Sequence, residues 1–141
     1  MDEKNEQSLS AKSFQDWFVE KERIHNKHLD YANNVYYREG EIYWVSLGKN
    51  IGFEEDGKGR LFTRPVLIVR GISRTLFFGV PLTSKPKVGD FYFSFKFHGN
   101  ISYGMISQMR SFDSSRIFSN RYGKINRKTL ETIKERIRNL F

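Results

Sequence analysis

Arg64 stands two residues ahead of an unbroken aliphatic run, Val66-Leu67-Ile68-Val69, which reads as a fully buried strand. A guanidinium beside such a strand is costly to bury unless an anion meets it. Other polar residues stand at the ends of other apolar runs. Thr83 and Ser84 follow the run Phe77 to Leu82, and Gln108 and Arg110 close the run that begins at Tyr103. Hydroxyls and guanidinium groups brought from strand ends to one cavity would suit a phosphodiester. The planar guanidinium fork binds two phosphate oxygens at once, and a hydroxyl donates one more hydrogen bond. Singly, each residue also has an ordinary reading: Arg64 as half of an ion pair, Thr83 and Ser84 as a turn, Gln108 as a satisfied polar group.

Other chemistries find less support. The chain has no cysteine, which excludes a disulfide scaffold, a thiolate metal site and a cysteine nucleophile together. Its three histidines are scattered; His25 and His28 sit three apart with no third ligand indicated, so no metal site is expected. His98 ends a strand among aromatic residues and is a general acid–base candidate. The glycine-rich stretch Glu54 to Arg60 does not lead through Gly-Lys-Ser/Thr into a helix, so it is no phosphate-binding P-loop. There is no Gly-x-Ser-x-Gly elbow for a serine nucleophile.

The elements that must position these groups are legible from periodicity. Residues 13–29 form an apolar face at helical spacing (Phe14, Trp17, Phe18, Ile24, His28), with Ser13 and Asp16 as a capping pair and a break at 30–34. Trp17 and Phe18 are expected to pack on the body as extra core. Strands follow over 41–47, 65–70, 75–82, 90–97 and 101–109. In the fourth, Phe91, Phe93, Phe95 and Phe97 share the core face, while Tyr92, Ser94, Lys96 and His98 face solvent. Residues 113–117 suggest one helical turn. A closing helix runs from its cap Asn126, with Leu130, Ile133, Ile137, Leu140 and Phe141 as its apolar stripe. The loop 48–64 is long for a compact domain, which marks it as functional or disordered. The fold class expected is mainly β with helices (α+β), a small, strongly curved barrel in a single domain.

The net charge of +8 is uneven. Residues 1–30 carry five basic against seven acidic side chains, residues 31–109 ten against six, and residues 110–141 nine against three. A basic body suits a polyanion, either nucleic acid or an acidic protein segment. No apolar run is long enough for a membrane span, and the acidic, polar start is unlike a signal peptide, so a cytoplasmic protein is expected.

The ordered set Arg38-Glu-Gly-Glu-Ile-Tyr-Trp, the loop Gly52 to Gly59, Arg64-Pro-Val-Leu-Ile-Val, Val80-Pro-Leu-Thr-Ser and Ile106-Ser-Gln-Met-Arg resembles the MazF/PemK family of type II toxin endoribonucleases over 38–141. Residues 1–37 then form an N-terminal helical extension. The resemblance implies an SH3-like barrel, usually a homodimer, that cleaves single-stranded RNA without a metal or other cofactor. It also implies a cognate antitoxin with an acidic inhibitory segment. Arg64 takes the place of the family's catalytic arginine, Thr83 that of its threonine, and Glu54 that of the loop glutamate. Ser84 and Lys85 beside Thr83, with Gln108 and Arg110, are expected to contact RNA. Lys58 and Arg60 in the loop and Lys96 on the solvent face of its strand join them. Phe53 and Glu55 depart from the family's usual loop residues, and residues 56–63 look inserted.

In such a site the ribose 2′-OH attacks the phosphorus, leaving a 2′,3′-cyclic phosphate and a 5′-OH. The enzyme must align the groups, stabilise the charge and manage two protons. Arg64 suits the charge as a clamp and possible acid; its high pKa makes it a poor base, which leaves Glu54 as the alternative base if the loop folds over the site. Two other readings stand beside this one: a non-catalytic nucleic-acid-binding barrel, and a gyrase-directed toxin of the same fold. The latter depends on a Trp-Gly-Ile-like C-terminus, whereas this chain ends Arg-Asn-Leu-Phe.

Overall fold

The structure is a computed structural model that describes residues 3–28 and 36–141. The strands are β1 (Glu41–Ser46), β2 (Thr63–Gly71), β3 (Leu76–Thr83), β4 (Tyr92–Phe97), β5 (Asn100–Met105), β6 (Arg110–Asp113) and β7 (Gly123–Lys124). Helix α1 (Glu3–His28) precedes them and α2 (Arg127–Arg138) closes the chain. All strand pairs are antiparallel in one curled sheet of order β4-β5-β3-β2-β1-β7, with β6 joining β3 off that path. The expected class, mainly β with helices, is what forms.

Two strands escape a reading by local pattern. In place of one strand over 101–109, the chain leaves the sheet at Met105, makes a 3₁₀ turn over Ile106–Gln108, and returns as β6. The reason is the partner: β5 pairs with the end of β3 (Leu82, Thr83), β6 with its beginning (Leu76 to Gly79), and the chain must step along β3 between them. Two-residue β7 has no run of its own to announce it.

The sheet is covered on both faces. Ile42, Leu67, Val80, Leu82, Phe93 and Phe95 face one side, where Leu130 and Ile133 of α2 join them. Tyr43, Val45, Val66, Ile68, Phe77 and Phe112 face the other. Alternate residues serve opposite cores, as the pleat dictates, so the run Val66 to Val69 is buried throughout. Asn126 caps α2 as expected, its Oδ1 accepting the Thr129 N–H at 2.8 Å. Phe141 is exposed rather than part of the α2 stripe.

Helix α1 is longer than expected, so Ser13 lies inside it and not at its start. Trp17 and Ile24, seven residues apart, are buried with Phe62; Phe18, one position round from Trp17, is 61% exposed. Only half of the expected Trp17–Phe18 pair is therefore core. The Trp17 ring lies against Gly48, where φ is +85° and an added Cβ would come within 2.2 Å of the indole. Glycine is required there twice, by conformation and by contact. His25 is exposed; the His28 side chain and the break expected at 30–34 lie outside the described residues.

Candidate functional site

Register brings the principal pair together. Val66 of β2 is opposite Pro81 of β3, and continuing that pairing two residues sets Arg64 beside Thr83. Neighbours opposed in this way carry their side chains on the same face, about 5 Å apart at Cβ. Both are buried, at 7% and 9% exposure.

Each nitrogen of the Arg64 guanidinium has a partner. Its Nε donates to the Asp56 carbonyl (3.1 Å), Nη1 to the Leu82 carbonyl (3.3 Å), and Nη2 meets Glu55 Oε1 at 2.6 Å. The anion opposite Arg64 is therefore a carboxylate of the β1–β2 loop. Thr83 Oγ1 accepts the N–H of Lys85 at 3.2 Å, which leaves the hydroxyl proton free to be donated.

The loop is ordered by its own polar groups. Gln108 accepts the Glu55 N–H (2.9 Å) and donates to the Phe53 carbonyl (3.1 Å). Asp56 Oδ1 accepts the Asn50 N–H at 2.5 Å, and the Asn50 side chain reaches the carbonyls of Leu47 and Glu55. Lys58 and Thr63 pair through their backbones at the base. This fixing turns Glu55 toward Arg64 and leaves Glu54 exposed. The loop carboxylate that reaches Arg64 is thus Glu55 and not Glu54.

Two depressions lie at this site, one against the Arg64–Thr83 pair and one against its partner Glu55. The larger, about 450 Å³, opens at the mouth of the curled sheet and touches Arg64, Thr83, Ser84 and Lys58. Its far wall is aromatic: Trp44, Phe97, His98 and Tyr122. The smaller, about 200 Å³, is lined by Glu54, Glu55, Gln108 and Arg110. Of the remaining expected contacts, Arg60, Lys85 and Lys96 are exposed outside both depressions. Arg110 Nε donates to the Ser111 carbonyl, and its guanidinium lies 4.9 Å from the Phe112 ring centre. Among the described residues no group of three or more His, Asp or Glu side chains is placed to hold a metal ion, and no helix is long and apolar enough to cross a membrane.

The aromatic wall was missed in the sequence, except for His98. Trp44 and Tyr122 meet across 5.2 Å between ring centres, and Tyr122 is 5.3 Å from Phe97 and 5.0 Å from His98. Their separation along the chain leaves no local signal. One part was legible: His98-Gly99 between two alternating strands is a two-residue hairpin turn, and both φ angles are positive (51° and 77°), as the tightest hairpin turns demand.

The fold and this site define a small curled-sheet protein that presents a buried, pre-set guanidinium and a hydroxyl to an oxyanion on a basic surface. Comparison with known proteins gives that class its family. Residues 38–141 match the model of the PemK-like, MazF-like toxins of type II toxin–antitoxin systems, and the chain belongs to that family. Among solved structures, MazF (Form-I) from Deinococcus radiodurans superposes with a TM-score of 0.59 at 19% identity, over 76% of this chain and 97% of that one. MazE-MazF (Form-II) from the same organism gives 0.55 at 17% identity, over 76% and 96%. An endoribonuclease in complex with its cognate antitoxin from Mycobacterial species gives 0.51 at 14% identity, over 72% and 90%. No curated protein sequence matches the chain significantly.

Proposed function

We propose that this toxin is an endoribonuclease that cuts single-stranded RNA by attack of the ribose 2′-OH, leaving 2′,3′-cyclic phosphate and 5′-OH ends. One observation carries the reading: buried Arg64, beside Thr83, already grips a carboxylate at 2.6 Å. A site shaped for one oxyanion accepts another, and a phosphodiester presents two equivalent oxygens to the same fork. In this reading Arg64 stabilises the crowded phosphorane and Thr83 donates to a non-bridging oxygen. Glu55 gives up its place when the phosphate arrives, and its freed carboxylate stands at the reacting centre.

The same geometry frames the partner. An acidic antitoxin segment would replace Glu55 on Arg64 and occlude the site; the mycobacterial neighbour was solved with its antitoxin. A homodimer completes the reading, checked by mass in solution. The decisive experiment incubates the purified protein with single-stranded RNA in excess chelator and maps the ends. Cleavage abolished by Arg64→Ala and cut about 100- to 1,000-fold by Thr83→Ala is expected. RNA that is retarded but uncut, with or without Arg64, would replace the nuclease by a binding protein.

A further inference from the structure

Single-stranded RNA crossing the Arg64–Thr83 pair needs room for a nucleotide on each side of the bond to be cut. The cavity at the sheet's mouth supplies it on one side. Its volume, about 450 Å³, is within the range of small-molecule sites and accommodates one nucleotide. Arg64, Thr83 and Ser84 form its near wall, so whatever occupies it lies within one nucleotide of a phosphate held by that pair.

The far wall has the composition of a stacking site. Trp44, Phe97, His98 and Tyr122 offer four rings in mutual contact, with ring centres 4.1 to 5.3 Å apart along the chain of neighbours. Phe97 and His98 are placed by the hairpin turn, and Nε2 of His98 lies 3.1 Å from the Tyr122 carbonyl. A carbonyl only accepts, so the contact requires the proton on Nε2 and orients the imidazole against the wall. Asn100 and Ser102 face the same space and make no side-chain hydrogen bond among the described residues, while Lys58 stands at the rim. Rings for a flat face, an amide and a hydroxyl for an edge, and a cation for a phosphate describe how proteins hold an unpaired base.

We propose that this aromatic mouth is a nucleobase subsite, taking the base of one nucleotide beside the scissile phosphate, with Asn100 and Ser102 reading its edge. The proposal rests on the nuclease reading, and the test separates the two. Nucleoside 3′-monophosphates are titrated into the protein and followed by NMR through the Trp44 indole N–H, the His98 ring and the Arg64 Nε–H. Inorganic phosphate and ribose 5-phosphate serve as base-free probes.

The nucleotides are expected to shift all three signals, and the base-free probes Arg64 alone. Removing a stacking partner should weaken the nucleotides about 5- to 150-fold while leaving inorganic phosphate unchanged. His98→Asn does this without disturbing the turn, since asparagine tolerates a positive φ; Tyr122→Ala attacks the same wall from β7's side. Asn100→Ala should level the affinities of the four bases. Base-free and base-bearing probes acting alike on the rings, or ring variants that bind nucleotides as the parent does, would overturn the subsite. Cleavage of RNA by the same preparation reports on the parent reading: cut RNA with silent rings removes the subsite alone, and uncut RNA removes both.

Discussion

The two depressions of the site are built on opposite plans. In the smaller one the polar groups are consumed by the protein itself: Gln108 holds the backbone at Phe53 and Glu55, and Glu55 holds Arg64. In the larger one the far wall is rings, and Asn100 and Ser102 make no side-chain hydrogen bond among the described residues. One side is therefore closed by the β1–β2 loop and must be opened by a competing anion, whereas the other stands open to a flat ligand. A hydrogen bond within the protein and one to a ligand draw on the same donors, so the side that is most ordered in isolation is the side with least to offer. The comparison predicts that charge governs entry on the loop side and stacking governs it at the mouth.

The sharpest way to break this picture acts on the larger depression where it meets Arg64. Thr83→Val keeps the shape and removes the hydroxyl that lines it there. Single-turnover cleavage of RNA should fall about 100- to 1,000-fold, while the melting temperature moves little. Loss of fold without loss of rate in the surviving protein would assign Thr83 to structure. Next in size comes Glu55→Gln, which keeps the loop contact but removes its charge. Charged hydrogen bonds exceed neutral ones by roughly 1.4 kcal/mol, so inorganic phosphate should bind about tenfold more tightly to the freed guanidinium. Calorimetry decides it. Weaker binding would mean that Glu55 orients Arg64 and does not compete with the ligand.

How much of this was written locally in the sequence differs between the two sides. Arg64 and Thr83 were legible because each ends an apolar run, and two such ends on antiparallel neighbours meet. The aliphatic core, the α2 stripe through Leu130 and Ile133, and the cap at Asn126 follow from period and residue type in the same way. Glu55 was not legible over Glu54. Which of two adjacent carboxylates turns inward depends on Gln108, 53 residues away, and on no feature of the loop itself. Likewise Trp44 and Tyr122 become one wall only when β7 closes on β1, and a two-residue strand leaves no pattern. Strand β6 was not legible because it follows the stretch that reads as one strand and holds a single apolar residue, Phe112; the turn at Ile106–Gln108 that separates it from β5 answers to the two places where they pair with β3.

The role of Gln108 sharpens the contrast at smaller scale. Gln108→Ala removes two hydrogen bonds to loop backbone, each worth about 1 kcal/mol or less at this part-exposed position. Amide exchange at 53–56 should accelerate about fivefold, with the rest of the sheet unaffected. A primary contact to RNA at Gln108 would instead leave the loop amides slow and weaken RNA binding.

The smallest effect is expected far from both depressions and sets the baseline for the others. Glu39 joins α2 to β2: its carboxylate meets Lys134 Nζ at 2.9 Å, Arg70 Nη1 at 3.4 Å and the Gly71 N–H at 3.2 Å. Burial pushes its pKa up, but the hydrogen bonds from Lys134 and Gly71 and the two positive charges outweigh this and hold it below the ordinary carboxylate value. A folded-state pKa that is depressed contributes stability above the unfolded value, and that contribution disappears as pH falls through the folded one. The parent should therefore melt slightly above Glu39→Gln at neutral pH, and the two should converge as pH falls through the depressed folded value, below the ordinary carboxylate range. RNA cleavage near neutrality should be the same for both, because Glu39 touches neither depression. A cleavage defect in Glu39→Gln would mean that the seat of α2 is coupled to Arg64 through β2, and the division of the molecule into a reacting end and a supporting end would have to be redrawn.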